Sequence, residues 1–135
     1  MKTAACLHFL LTLLSCQEDI NPKAFELLEG RWERTAYQID QNEWVADSTT
    51  GKASLIFRAD GVPLDGNGFG FCCPPQNLLV NGRLAAIEPK TPVTTAVFCQ
   101  TVRCRPCETV EIQVTRESLL WIDCYGGITR YRRLP

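Results

Sequence analysis

Six cysteines crowd into the stretch from residue 72 to residue 124: Cys72, Cys73, Cys99, Cys104, Cys107 and Cys124. Nothing else in the chain restricts its fold so strongly, because each covalent pair dictates which distant segments must meet. Cys72 and Cys73 are adjacent, and neighbours in an extended chain point to opposite sides, so each should have its own distant partner. Six cysteines allow fifteen pairings, and spacing does not choose among them. In an oxidising compartment an even count reads as a disulfide framework, each bridge adding about 2–4 kcal/mol by restricting the unfolded chain. The expected outcome is a pinned segment from Cys72 to Cys107, with Cys124 tying in a later strand.

The N-terminus bears on which compartment that is. Met1-Lys2 gives a short basic start, and an apolar run follows from Ala4 through Leu14, ending at Ser15-Cys16. Such a run is too short for a membrane span and reads as a secretory signal over residues 1–15. Leu13-Leu14-Ser15-Cys16 resembles the lipobox of bacterial lipoproteins. The resemblance implies that Cys16 becomes an acylated N-terminus, with residues 16–21 as a tether. One acyl chain would hold the membrane only marginally, whereas two or three make attachment effectively permanent. Gln17-Glu18-Asp19 also resembles the acidic export signals of some Gram-negative lipoproteins. The expectation is an exported, lipid-anchored protein of the outer membrane, on its periplasmic or surface face, with the membrane as a partner through Cys16.

Removing residues 1–15 leaves one domain's worth of chain, residues 22–135 beyond the tether. Without Lys2, thirteen basic residues face fifteen acidic ones, with the signs interspersed. That balance is not a nucleic-acid footprint, which needs a basic stripe; Arg130, Arg132 and Arg133 cluster at the end of a strand but nothing extends them. The single His8 lies in the signal, so the mature part lacks the commonest general base and metal ligand.

Asn21 to Gly30 reads as one short helix, with Asn21 as N-cap, Pro22 in the first helical position and Gly30 as the left-handed stop. Everything after Gly30 reads as strand: Trp32–Ile39, Glu43–Ala46, Ala53–Arg58 closed by Asp60-Gly61, Leu78–Val80, Arg83–Ile87, Thr94–Cys99, Thr109–Thr115, Leu119–Cys124 and Ile128–Leu134. Asn81-Gly82 is the strongest hairpin signal, because both positions tolerate the positive φ of a type I′ turn. In Thr109–Thr115 strict alternation buries Val110, Ile112 and Val114. Residues 59–77 and 88–92 read as irregular. The pattern predicts an all-β fold of about eight short strands, antiparallel throughout because no βαβ spacing occurs, closed or sandwiched, after one N-terminal helix.

Leu27-Leu28-Glu29-Gly30-Arg31-Trp32 resembles the Gly-x-Trp start of lipocalins, at a short helix running into the first strand. Arg132, within Tyr131-Arg132-Arg133, resembles the basic residue on a lipocalin's last strand that stacks across that Trp. The resemblance spans residues 25–134 and implies a closed, disulfide-reinforced antiparallel barrel, with Gly30, Trp32 and Arg132 closing one end. Trp32 is then a structural plug, and inward residues Tyr37, Phe57, Val110, Ile112 and Val114 either touch a ligand or form solid core. The chain departs from the family in its Cys-rich segment 72–107 and in a domain shorter than most ligand-carrying lipocalins.

Several motifs bear on chemistry. Cys99-x4-Cys104-x2-Cys107 with Cys124 has the spacing of plant-type iron–sulfur ligation, but a cluster does not cross the Sec route on an unfolded chain. A zinc site from four cysteines competes with oxidation to disulfides. Cys104-Arg105-Pro106-Cys107 has the form of a thioredoxin-type C-x-P-C, the one opening for thiol redox activity, yet no helix follows to lower the thiol pKa. Asp65-Gly66-Asn67-Gly68 resembles the opening of a calcium loop, but Phe69 and Gln76 stand where ligands belong, so it reads as a turn. No Gly-x-Ser-x-Gly occurs, and Glu108 and Glu111 read as solvated. No enzyme activity and no cofactor are expected. Two functions fit: an envelope-anchored lipocalin-like module binding a small apolar or amphipathic ligand, and a protein–protein module using the Cys-rich segment 72–107 on an envelope partner. A third, a redox or metal protein of the periplasm, rests on the cysteines alone.

Overall fold

The computed structural model describes residues 23–39, 42–47, 51–105 and 107–135. The signal, Cys16 and the tether lie outside the described residues, as do Asn21 and Pro22. A short helix α1 (Lys23–Glu26) precedes β1 (Gly30–Ile39), β2 (Glu43–Ala46), β3 (Leu55–Phe57), β4 (Pro63–Asp65), β5 (Asn77–Val80) and β6 (Arg83–Ala86). A 3₁₀ turn (Val97–Thr101) follows, then β7 (Thr109–Val114), β8 (Ser118–Ile122) and β9 (Ile128–Arg133). The chain is all-β, as its alternation predicts.

The strands form one curled nine-stranded sheet in the order β4-β3-β1-β9-β8-β7-β5-β6, with β2 paired to β1 beside that path. The first and last long strands meet, and β7–β8–β9 is a simple meander. Asn81 and Gly82 both take positive φ in the β5–β6 turn, and the Asn81 amide holds Val114 from both sides, donating to its carbonyl and accepting from its N–H.

Two expectations about the sheet need correcting. It is not wholly antiparallel: β5 and β7 run parallel, Leu78 opposite Val110 and Val80 opposite Ile112. A parallel pair needs a long crossover, and here β6 and the Cys-rich segment after it supply one. Nor does a ladder close the sheet into a barrel. β4 and β6 are its two ends, and β4 is continued only by single bridges from Leu64 to Gly70 and from Gly70 to Thr95. The expected strand Thr94–Cys99 is reduced to that bridge at Thr95, after which the chain coils into the 3₁₀ turn, with Cys99 N–H donating to the Ala96 carbonyl. β4 falls inside a stretch expected to be irregular, because three residues starting at Pro63 carry little strand signal.

The concave face is solid. Trp32, Leu55, Phe57, Leu78, Val110, Ile112, Val114 and Leu119 form one buried cluster, with Phe25 and Leu28 of the helical segment packed into it. The expected helix is shorter than its sequence suggests. Leu28 and Glu29 N–H both donate to the Phe25 carbonyl and the chain then leaves the helix. Gly30 begins β1 with φ +126°, instead of capping the helix.

Trp32 is fully buried, and its indole Nε1 donates to the Leu28 carbonyl at 2.8 Å. The cation over it is Arg133, not Arg132: the Arg133 guanidinium carbon lies 4.2 Å from the ring centroid. Register gives the reason. Trp32 stands opposite Arg133, and Glu33 opposite Arg132, so the pleat sends the two arginines to opposite faces. Arg133 also donates to the carbonyls of Leu27, Glu29 and Arg116, tying the helical turn and the β7–β8 turn to the last strand. On the other face Arg132 Nη2 donates to the buried Glu33 carboxylate at 2.5 Å, and Gly51 N–H donates to the second oxygen. The Arg132 hydrogen bond, followed by that from Gly51, holds the Glu33 pKa below its ordinary value.

The Arg133 clamp predicts a measurable asymmetry. Arg133→Ala should lower the unfolding free energy by about 2–4 kcal/mol, from one desolvated cation–π contact and charge-assisted hydrogen bonds. Arg133→Lys should recover less than half, because an ammonium cannot fork to several carbonyls. Urea unfolding of the oxidised protein checks this, and a loss below about 0.5 kcal/mol for Arg133→Ala would remove the clamp from the account.

Candidate binding groove at the open seam

The gap between the two ends of the sheet is occupied by the Cys-rich crossover, and it is here that the chain leaves room. An open groove of ≈ 860 Å³ runs between them. One wall comes from Val62 and Pro63 at β4, with Gly70, Phe71, Val93 and Thr95 beside it. The other comes from the far end of the β5–β6 hairpin, at Gln76, Asn77, Ala86 and Ile87, continuing into Glu88 and Pro89. Cys72 to Pro75, together with Cys104, Arg105 and Cys107, span the space between.

The three disulfides hold this arrangement. Cys72 joins Cys99, Cys73 joins Cys104, and Cys107 joins Cys124, with Cα separations of 4.9, 5.5 and 5.6 Å. The adjacent pair therefore does find separate partners. Cys72 and Cys73 bind the β4–β5 connection to the crossover, and Cys107–Cys124 ties the crossover's exit to the turn after β8. Cys104 and Cys107 are each bonded elsewhere and not to one another, so the C-x-P-C opening for redox chemistry is closed in this form. All six of these sulfurs are held in disulfides.

Local chemistry explains why the groove walls stay apart and apolar. Four of the chain's eight prolines, Pro63, Pro74, Pro75 and Pro89, line it; each fixes its own φ and presents no N–H that would need a partner. Phe71 turns inward from the β4–β5 connection and meets Trp121 edge-on, centroids 5.9 Å apart, while Trp121 meets Phe57 at 6.2 Å. The lid segment is thus seated on the core through one aromatic chain. Gly70 permits the close approach of Val93, whose Cγ1 lies 2.3 Å from where a Cβ would stand, and Gly70 N–H donates to the Thr94 carbonyl at 2.8 Å.

Asp60 fastens the wall that follows β6. Its buried carboxylate accepts from Lys90 N–H at 2.9 Å and from Arg58 Nη2 at 2.5 Å, with Val62 N–H nearby at 3.4 Å. Burial pushes its pKa up most strongly, but the Lys90 N–H, the Arg58 guanidinium and the Val62 N–H together outweigh burial and leave it below the ordinary Asp value. Asp65, first residue of the expected turn, accepts from Asn67 and Phe69 N–H and so caps a turn.

Sequence reasoning placed its candidate ligand contacts elsewhere. Phe57, Val110, Ile112 and Val114 are buried core, between 0% and 5% exposed, and Tyr37 stands apart from that cluster with Arg34 over its ring at 5.5 Å. None of the five lines the groove. Cys72, Cys73, Cys104 and Cys107 of the Cys-rich segment do line it. Arg105, Ile87 and Val93, which line it, were missed, because a groove made between two sheet edges has no periodic signature. The segment also exposes large apolar residues: Val97 is 81% and Phe98 66% exposed, on the 3₁₀ turn anchored at Cys99. No helix among the described residues is long and apolar enough to cross a membrane. Compared with protein-family profiles, with curated proteins and with solved structures, the chain finds no match.

Two outcomes follow from the bracing. Cys73→Ser with Cys104→Ser should lower stability by about 2–4 kcal/mol while the sheet persists, measured by urea unfolding and far-ultraviolet circular dichroism. The Asp60 contribution is complete above the ordinary carboxylate pKa and is lost as pH falls through the lowered one, since protonation there opposes the folded arrangement. The Lys90 amide shift, followed by NMR into acid, should titrate below the ordinary Asp range and stay flat in Asp60→Asn.

Proposed function

We propose that this chain is an exported, lipid-anchored binding module that holds a small apolar or amphipathic molecule in the seam groove and not inside the sheet. The observation that carries the reading is the contrast between the two spaces. The concave face is filled by Phe57, Val110, Ile112 and Val114, whereas the seam keeps ≈ 860 Å³ among prolines and aliphatic side chains. That volume and composition, mostly apolar with a few polar groups, fit a small-molecule site. The lipocalin-like resemblance supports the first-to-last strand pairing and the Trp32 plug, but the ligand site moves from the barrel interior to its unclosed edge.

The position of the groove suits an anchored protein. Lys23, the first described residue, borders Val80, Asn81 and Arg83 at the turn end of the β5–β6 hairpin. The groove uses the opposite end of the same hairpin, at Asn77 and Ala86. The described chain therefore begins at the end of this hairpin that lies away from the groove.

A second reading has one specific observation in its favour. Val97 and Phe98, exposed on a turn tied to Cys72 through Cys99, are the kind of contiguous apolar surface that meets a protein partner.

Filling the groove separates the readings. The environment-sensitive dye N-phenyl-naphthylamine should brighten with the oxidised protein and fail to do so with Ala86→Trp, which places an indole in the groove. Gln113→Trp, on the exposed side of β7, should leave the dye response unchanged. Equal brightening with Ala86→Trp would move the site out of the seam.

A further inference from the structure

Resting on the groove as the binding site, we propose that its ligand is a free amphiphile with an anionic head, and that Arg105 is the residue that selects it. Arg105 is exposed and lines the groove, whose walls include four prolines and the aliphatic Val62, Ala86, Ile87 and Val93, so a guanidinium stands beside an apolar space. It is fixed at three points. Cys104 before it is bonded to Cys73, and Cys107 beyond it is bonded to Cys124. Its guanidinium carbon lies 4.2 Å from the Tyr125 ring centroid, a stacked cation. The ion pairs of the described residues are Arg34–Asp47, Arg58–Asp60 and Arg132–Glu33, and Arg105 takes part in none of them. A pre-positioned guanidinium with no carboxylate on it, at the edge of an apolar groove, is complementary to a carboxylate or sulfonate head carrying an apolar tail.

Glu88 is the competing charge in the groove, and it too stands outside those ion pairs. It lies on the opposite wall, exposed, between Ile87 and Pro89, and no aromatic ring or hydrogen bond among the described contacts holds its side chain. Ordering a free Glu side chain on a ligand costs rotamer entropy that the stacked Arg105 has already lost. Arg103, exposed two residues from Arg105, adds to the positive side. The two charges therefore give a head-group preference that favours the anion.

Three probes with one tail and different heads test this: decanoate, decanol and decyltrimethylammonium, each below its micelle concentration, titrated calorimetrically into the full oxidised protein at neutral pH. Decanoate should bind about tenfold or more tightly than decyltrimethylammonium, about 1.4 kcal/mol. Arg105→Gln should erase that preference while decanol affinity stays the same, and Glu88→Gln should leave it in place. Equal binding of all three probes, blocked by Ala86→Trp, would overturn head-group selection and leave the groove standing as a site. Binding of none of them would overturn the groove reading itself. A stronger response to decyltrimethylammonium, lost in Glu88→Gln, would assign selection to Glu88 and overturn the proposal. Co-sedimentation with phosphatidylglycerol vesicles but no binding of monomeric decanoate would point to a bilayer surface and overturn it also.

Discussion

Three disulfides that tie one crossover to the β4–β5 connection and to the β8–β9 turn are the constraint on which the rest of this structure depends. A curled sheet with two free edges has two ordinary fates: the edges meet and form a barrel, or they stay open and recruit another chain. Here the crossover is threaded between them and covalently held, so neither happens. Closure is blocked because Gly70, Phe71 and the segment around Thr95 already occupy the space beside β4. Pairing with a foreign strand is impeded on the β4 side, since Gly70 has taken its bridge. The groove is what remains when the crossover is bonded to the β4–β5 connection and to the β8–β9 turn, and not collapsed onto the sheet.

The same crossover explains the parallel β5–β7 pair. A hairpin such as β5–β6 ordinarily hands the chain to an antiparallel neighbour. After β6 the segment instead travels back past Asp60 and Gly70 before entering β7, so it arrives running the same way as β5. The topology has a cost: a long irregular segment inside a small domain loses much conformational entropy on ordering. Cross-links offset that cost by removing entropy from the unfolded chain, most where loops are long; the bridges here span 27, 31 and 17 residues. Without an oxidising environment the crossover would have to be ordered by Phe71, the Asp60 contacts and a few backbone bonds alone.

What was legible in the sequence was what is periodic or stereochemically forced. Val110, Ile112 and Val114 announce a buried strand face because side chains alternate. Asn81-Gly82 announces its turn because few residues accept two consecutive positive φ values. Trp32 announces a plug because it follows a helical turn and opens the longest strand. Arg133 was mistaken for Arg132 by a single residue, and in a strand a single residue reverses the face: the register with Trp32, which only the fold sets, decided between them. Whether the sheet closes was not legible at all, since closure depends on where distant edges end and on what is bonded between them. The groove shares that origin. Its residues come from five separate stretches with no common spacing, and only the cysteines, being obliged to meet, hinted at where they converge.

The two ends of the molecule divide electrostatic work from covalent work. At the Trp32 end a cation does the joining: Arg133 reaches three carbonyls and the indole face, with Phe25 and Leu28 keeping water out. Each guanidinium nitrogen of Arg133 has an acceptor, and the indole ring is fully buried beneath it. At the seam end sulfur does the joining, and sulfur bridges need no convergent polar groups around them. That difference leaves Arg105 at the groove with a stacked ring and outside the ion pairs of the described residues, while Arg133 is consumed by structure. A clamp built from hydrogen bonds uses up its own cation's donors, whereas a clamp built from disulfides makes no such demand on a neighbouring arginine.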